Sequence, residues 1–218
     1  MKLSTYALLV TAGLGFTLPT SVKANMEDDL LKIQKRWAIV NYELKDDEQE
    51  KAFDDLIKQA DSFKTQYTHS AEGYIWNGII KSSYAGAKGG LGALSLVKDS
   101  KKSLEKALEI NDKALAGSAY TSLATLYSQV PGWPIGFGSD KKAEENFKRA
   151  LEINPNGIDP NYFYAQYLYD DRKYKIAKKH LVIAQHAKSR KTRPLADKSR
   201  QQEITELLTK VDKKLRKK

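Results

Sequence analysis

Phe147-Lys148-Arg149-Ala150-Leu151-Glu152-Ile153-Asn154-Pro155 and Leu104-Glu105-Lys106-Ala107-Leu108-Glu109-Ile110-Asn111-Asp112 spell nearly the same nine residues twice. The chain is therefore built from repeats, an organisation that generates extended surfaces by stacking similar units. Within each copy a large apolar residue is followed three positions later by alanine. Both side chains then share one helical face, and the small one lets a neighbouring helix approach closely. Pro155 stops its helix where the next unit must begin.

Working outward, Ala143 and Ala177, Phe147 and Leu181, and Ala150 and Ala184 are each 34 positions apart. That is the tetratricopeptide period. The upstream copy precedes its partner by 43 positions, so about nine residues have been added to a unit of roughly 34. Gly132 to Asp140 is the apparent insertion.

Helical spacing predicts nine helices. Glu27 to Leu44 is the first, with Leu30, Ile33, Trp37, Val40 and Leu44 on one face; Asp46 to Tyr67 is the second, with Phe53, Leu56, Ile57, Ala60 and Phe63. Ser70 to Tyr84, Leu91 to Ile110, Gly117 to Gln129, Lys141 to Asn154, Asp159 to Asp171 and Tyr174 to Lys188 complete four pairs. A ninth helix from Pro194, striped by Ile204, Leu207, Leu208, Val211 and Leu215, is expected to cap the open end of the stack. The fold class is thus all-α: a tetratricopeptide-like right-handed solenoid over 25–190, followed by a basic capping helix over 191–218.

Residues 1–24 begin with Lys2, continue through an apolar run from Tyr6 to Leu18, and end at Val22-Lys23-Ala24. This is the pattern of a secretory signal cleaved after Ala24, the run being shorter than the roughly 20 residues that span a bilayer. No other segment reaches membrane length. The 218 residues contain no cysteine, hence no disulfide framework and no residue for lipid attachment. A soluble periplasmic protein is expected.

The formal charge of +10 is unevenly placed. Residues 25–171 hold 18 Lys plus Arg against 23 Asp plus Glu, net −5, whereas residues 172–218 hold 17 against 4, net +13. A solvated, charge-rich terminal helix accounts for this, with an acidic docking partner as the next reading. Export argues against nucleic acid.

Three segments are candidates for binding. Ser83-Tyr84-Ala85-Gly86-Ala87-Lys88-Gly89-Gly90-Leu91-Gly92 is glycine-rich and precedes a helix, but its lysine comes before the glycine pair and no hydroxyl follows, so it is not a nucleotide-phosphate loop. It is a sharp turn between units, or a turn whose free amides, with Tyr84 and Lys88, tolerate an anionic group. The insertion carries Trp133, Ile135 and Phe137; leaving such side chains exposed forgoes roughly 1.5–3 kcal/mol each. It is expected to fold back, close over a pocket or meet another chain, with Trp133 and Phe137 as its contacts. In the seventh helix, aligning Ala177 with its repeat partner puts Asn161, Tyr164, Ala165 and Leu168 on the packing face. Tyr162, Gln166 and Tyr169 then share the face that would line a groove.

Catalytic signals are few. His69, His180 and His186 lack a metal-ligand spacing, the last two are expected to face solvent, and no nucleophile motif occurs. Asp46-Asp47-Glu48 reads as a helix start. No enzyme activity, cofactor or metal is expected.

Four segments, Ser83 to Gly92, Ser118 to Tyr127 (S-A-Y-T-S-L-A-T-L-Y), Gln129 to Gly138 (Q-V-P-G-W-P-I-G-F-G) and Arg193 to Asp197 (R-P-L-A-D), together resemble the TatT family. These are tetratricopeptide proteins regarded as T components of tripartite ATP-independent periplasmic (TRAP) transporters. The resemblance implies a periplasmic helical protein that partners a solute-binding subunit, forms homo-oligomers and holds or passes a small organic ligand. Some members are lipid-anchored through an N-terminal cysteine, a residue this chain lacks. The alternative is a general periplasmic scaffold whose groove holds a peptide or protein of an envelope complex. A closed apolar pocket between the insertion and the glycine turn would favour the transporter role, and an open tyrosine-lined trough the scaffold.

Overall fold

The protein was analysed as a computed structural model describing residues 20–90 and 92–216, with side chains from Asn25 onward. Residues 1–19, which hold most of the expected signal sequence, lie outside the described residues. Among the described residues there are nine α-helices and no strand: α1 (Thr20–Tyr42), α2 (Asp46–Gln66), α3 (Ala71–Lys88), α4 (Gly92–Ile110), α5 (Ser118–Gln129), α6 (Asp140–Ile153), α7 (Ile158–Asp170), α8 (Tyr174–Gln185) and α9 (Pro194–Arg216). Helices adjacent in sequence pack together throughout.

The repeated triplets are the rivets of this packing. Ala143, Phe147 and Ala150 of α6, and Ala177, Leu181 and Ala184 of α8, are essentially inaccessible to solvent. In α4 the matching positions are Ser100, Leu104 and Ala107, all fully buried. Serine replaces alanine at the first position and uses its hydroxyl, donating from Oγ to the Gly78 carbonyl at 2.7 Å. That bond requires α3 and α4 to nearly touch, which explains Gly78: a Cβ there would lie 2.6 Å from Leu104 Cγ. Alongside, Asn77 donates to Asp61 at 2.9 Å and accepts from Ser103 at 2.7 Å, tying α2, α3 and α4 through one satisfied polar chain.

Helix ends follow local chemistry. Ser139 caps α6, accepting from the Lys142 amide, and Asp140 is the first helical residue. Helix α3 continues four residues beyond Tyr84, because Ala85 to Lys88 are compatible with helix. It stops where Gly89 (φ 63°) and Gly90 (φ 60°) take left-handed backbone. Lys88 thus closes α3, and its side chain lies beside the start of α4, where a Cβ added at Gly92 would stand 3.1 Å from Lys88 Cε.

Helix α9 departs from the simple cap expected. Its Ile204, Leu207 and Val211 are buried as the stripe predicts, yet it packs on α8, reaches α7 and also contacts α1. Ala196 joins the cluster formed by Leu30, Trp37 and Trp76. First and last described helices are therefore neighbours, and the stack bends back on itself.

Two glycines of α3 provide a test. Gly78→Ala should lower stability by about 1–3 kcal/mol through overpacking against Leu104. Gly86→Ala, with no atom within 4 Å of the added Cβ, should raise stability by about 0.5–1 kcal/mol. Chemical denaturation of the two variants would measure both.

Candidate functional site

Because the stack curves, α1, α3, α5 and α7 turn one face toward a common interior. Helices α8 and α9 flank it, leaving a half-open cavity of about 1140 Å³. The apolar wall includes Trp37, Trp76, Ile79, Leu126, Phe163, Val182 and Ile183. Helix α5 contributes Ser118, Thr121, Ser122 and Thr125, whose i, i+3, i+4, i+7 spacing puts four hydroxyl residues on one face. Two of these hydroxyls stay local, Ser118 donating to the Leu115 carbonyl at 2.6 Å and Thr125 to that of Thr121 at 2.9 Å.

A left-handed turn shapes the wall before α5. Leu115 (φ 46°, ψ 43°), Ala116 (φ 53°, ψ 44°) and Gly117 (φ 75°, ψ 22°) follow one another, and the first two line the cavity. For residues other than glycine this conformation costs roughly 1–2 kcal/mol each.

The polar end of the cavity is built from α7, the α8–α9 connection and α9. Asp159 lies in the first turn of α7, where the helix dipole favours negative charge. It accepts from Arg190 Nη1 at 2.7 Å and Arg200 Nε at 3.1 Å. Arg190 also donates from its amide and side chain to Asp197, and Arg200 Nη1 donates to Glu203. The Arg200 guanidinium stands 4.4 Å from the Tyr162 ring centre and 4.5 Å from that of Phe163. Burial alone would raise the Asp159 pKa, but the charges of Arg200, Arg190 and Arg193 outweigh it and hold the carboxyl at about 2. Burial raises Tyr42 to about 12, so its phenol stays protonated on the cavity wall.

Arg193 differs from the other two arginines. Its guanidinium lies 4.9 Å from the Trp76 ring and 5.9 Å from the Trp37 ring, and the two indoles meet edge to face at 5.5 Å. Burial, and then repulsion from Arg190, lower its pKa to about 10. Trp37 donates to Ser83 Oγ at 2.9 Å. Trp76 Nε1 and Arg193 Nε are buried without a hydrogen-bond partner.

None of the seven residues singled out from sequence lines this cavity. Tyr84 is buried with its ring stacked on Phe53 at 5.4 Å. Lys88 donates to the Tyr84 hydroxyl at 3.1 Å and pairs with Glu50 at 3.4 Å, so its charge has a partner within the fold. In the insertion, Phe137 folds back edge-on to Tyr127 at 5.7 Å while Trp133 stays 90% and Ile135 66% exposed. Tyr162 is buried beneath Arg200, Gln166 is half-buried, and Tyr169 packs against Tyr174. The face expected to form the groove is turned toward the α8–α9 side, and the wall carries Asp159, Pro160 and Phe163 instead. The pocket therefore does not lie between the insertion and the glycine turn. His180 is half-buried rather than solvent-facing, bonded through Nδ1 to Asn161 at 2.8 Å and edge-on to Tyr164. His186 is exposed at the cavity rim.

Compared with known proteins, the chain matches no protein-family model and no curated protein.

The depressed Asp159 pKa sets a pH dependence. Its pairing contributes stability fully above about pH 4, the range of an unpaired aspartate, and this contribution is lost as pH falls through about 2. Trp37 and Trp76 emission should report loosening of α9 over that window. Asp159→Asn should lack this component and be less stable by about 3 kcal/mol at pH 7, because two arginines lose their shared partner. Acid titration of both proteins followed by fluorescence measures the difference.

Proposed function

We propose that the protein is a non-enzymatic accessory of solute uptake, a tetratricopeptide-like right-handed solenoid that holds a small organic ligand in its interior and docks on another protein. The cavity of about 1140 Å³ on the inner side of the helical stack is the observation that carries this reading. Its volume suits a ligand of drug-like size or larger, and its wall combines apolar and aromatic surface with a few convergent polar groups, as small-molecule sites do. The 34-residue period and the three buried triplets support the repeat class. The cavity is half-open, so the preference for a small ligand over the scaffold's peptide rests on the convergence of its apolar, aromatic and polar groups.

The partner follows from the resemblance to the TatT family: a solute-binding subunit of a TRAP-type transporter, met in the periplasm after export. No described helix is long and apolar enough to cross a membrane, which fits this placement. Trp133 and Ile135, projecting from the insertion, are the docking contacts in this reading; apolar side chains this exposed characterise interaction surfaces.

Two measurements test the two halves. The neutral apolar dye N-phenyl-1-naphthylamine should brighten on binding the protein, and Ser122→Trp, which fills part of the cavity from α5, should weaken that binding at least tenfold with little change in helix content. Dye binding indifferent to this substitution argues against an interior site. In pull-downs from periplasmic extract, the wild-type chain should recover a solute-binding subunit and the Trp133→Ala, Ile135→Ser variant should lose it. Recovery of envelope-assembly proteins alone would overturn the transporter role.

A further inference from the structure

The three arginines on the cavity wall are not equivalent. Arg190 and Arg200 are neutralised by Asp159, Asp197 and Glu203. Arg193 forms no ion pair and its side chain no hydrogen bond among the described residues; its charge rests on the faces of Trp76 and Trp37. Beside it, Trp76 is 2% exposed and its indole N–H is sealed from water without an acceptor. Leaving a buried donor unsatisfied is costly, and such groups are few in folded proteins. Two of them sit on stacked neighbours that both line one cavity.

The surroundings have a definite sign. Lys188, Arg190, Arg193 and Arg200 face the cavity against a single carboxylate, Asp159, among its described lining residues, and that carboxylate is already shared by two arginines. Away from Arg193, the wall formed by Leu126, Phe163, Val182 and Ile183 is apolar. A cation that is poorly solvated, flanked by aromatic rings and lacking a counter-charge is suited to a planar anion, since guanidinium and carboxylate match in a two-pronged hydrogen-bonded fork.

We propose that the Arg193 guanidinium, partly exposed on the cavity wall, is the anchor for the carboxylate of a free organic acid whose apolar body lies along the Phe163 side of the cavity. This assignment rests on the reading that the cavity holds a small ligand, and it names the ligand's class. Arg193 acts by binding alone, with no bond made or broken.

Displacement of N-phenyl-1-naphthylamine by 4-phenylbutyrate and by 4-phenylbutan-1-ol tests it, because the two competitors share a body and differ in charge. The acid should bind the wild-type protein at least tenfold more tightly than the alcohol. Arg193→Met should bring acid and alcohol to within twofold of each other, with the loss falling on the acid. Arg193→Lys, which keeps the charge but not the fork, should retain part of the preference, and it serves as the test if the methionine variant does not fold. Dye binding with equal affinity for acid and alcohol in the wild type would overturn the anchor and leave the ligand-holding role standing. Failure of the dye and both competitors to bind would overturn both.

Discussion

Asp159 sits between Arg190 and Arg200, and the rest of the interior depends on that bridge. The carboxylate belongs to the first turn of α7, whereas both arginines come from the end of the chain, so one residue fastens the last helix across the open side of a helical stack. Hydrophobic burial of Ile204, Leu207 and Val211 supplies attraction between α9 and its neighbours but little direction. The ion pairs supply the direction. Arg190, held by Asp159 and Asp197 together, fixes the turn into α9 and brings the neighbouring Arg193 over the indoles of α1 and α3. A buried charge network of this kind contributes more to geometry than to net stability.

The packing between α3 and α4 and the cavity wall illustrate opposite demands. Where Gly78 meets Leu104 the backbones approach as closely as the side chains permit, and every polar atom nearby has a partner. Around Arg193 and Trp76 the same chain leaves donors unanswered, and at Leu115 and Ala116 it accepts left-handed backbone. Departures of this sort concentrate where a protein meets another molecule. Here they border one cavity.

Much of the fold was legible because its signals are local. The spacing Ala143, Phe147, Ala150 and its echo at Ala177, Leu181, Ala184 reports helical faces directly, and the α9 stripe was equally plain. The cavity wall was not legible, for a topological reason. Which face of α7 turns inward depends on where α9 lands, and α9 lands by virtue of a contact spanning 41 residues, from Asp159 to Arg200. Tyr162 looked like a groove residue and is instead the platform beneath Arg200. A weak signal did exist. Asp197 is one of four acids among the last 47 residues, and an isolated carboxylate in so basic a stretch points to a specific cationic partner nearby. The hydroxyl stripe of α5, at Ser118, Thr121, Ser122 and Thr125, was also readable as a polar inner face.

In an open array of repeats each unit leans only on its two neighbours, so loosening begins at either tip and spreads inward by degrees. The meeting of α1 with α9 removes that graded route from the described chain. The molecule behaves like a hoop: undoing either terminal helix strips apolar surface from both, so the described helices are expected to lose their structure together rather than from the tips.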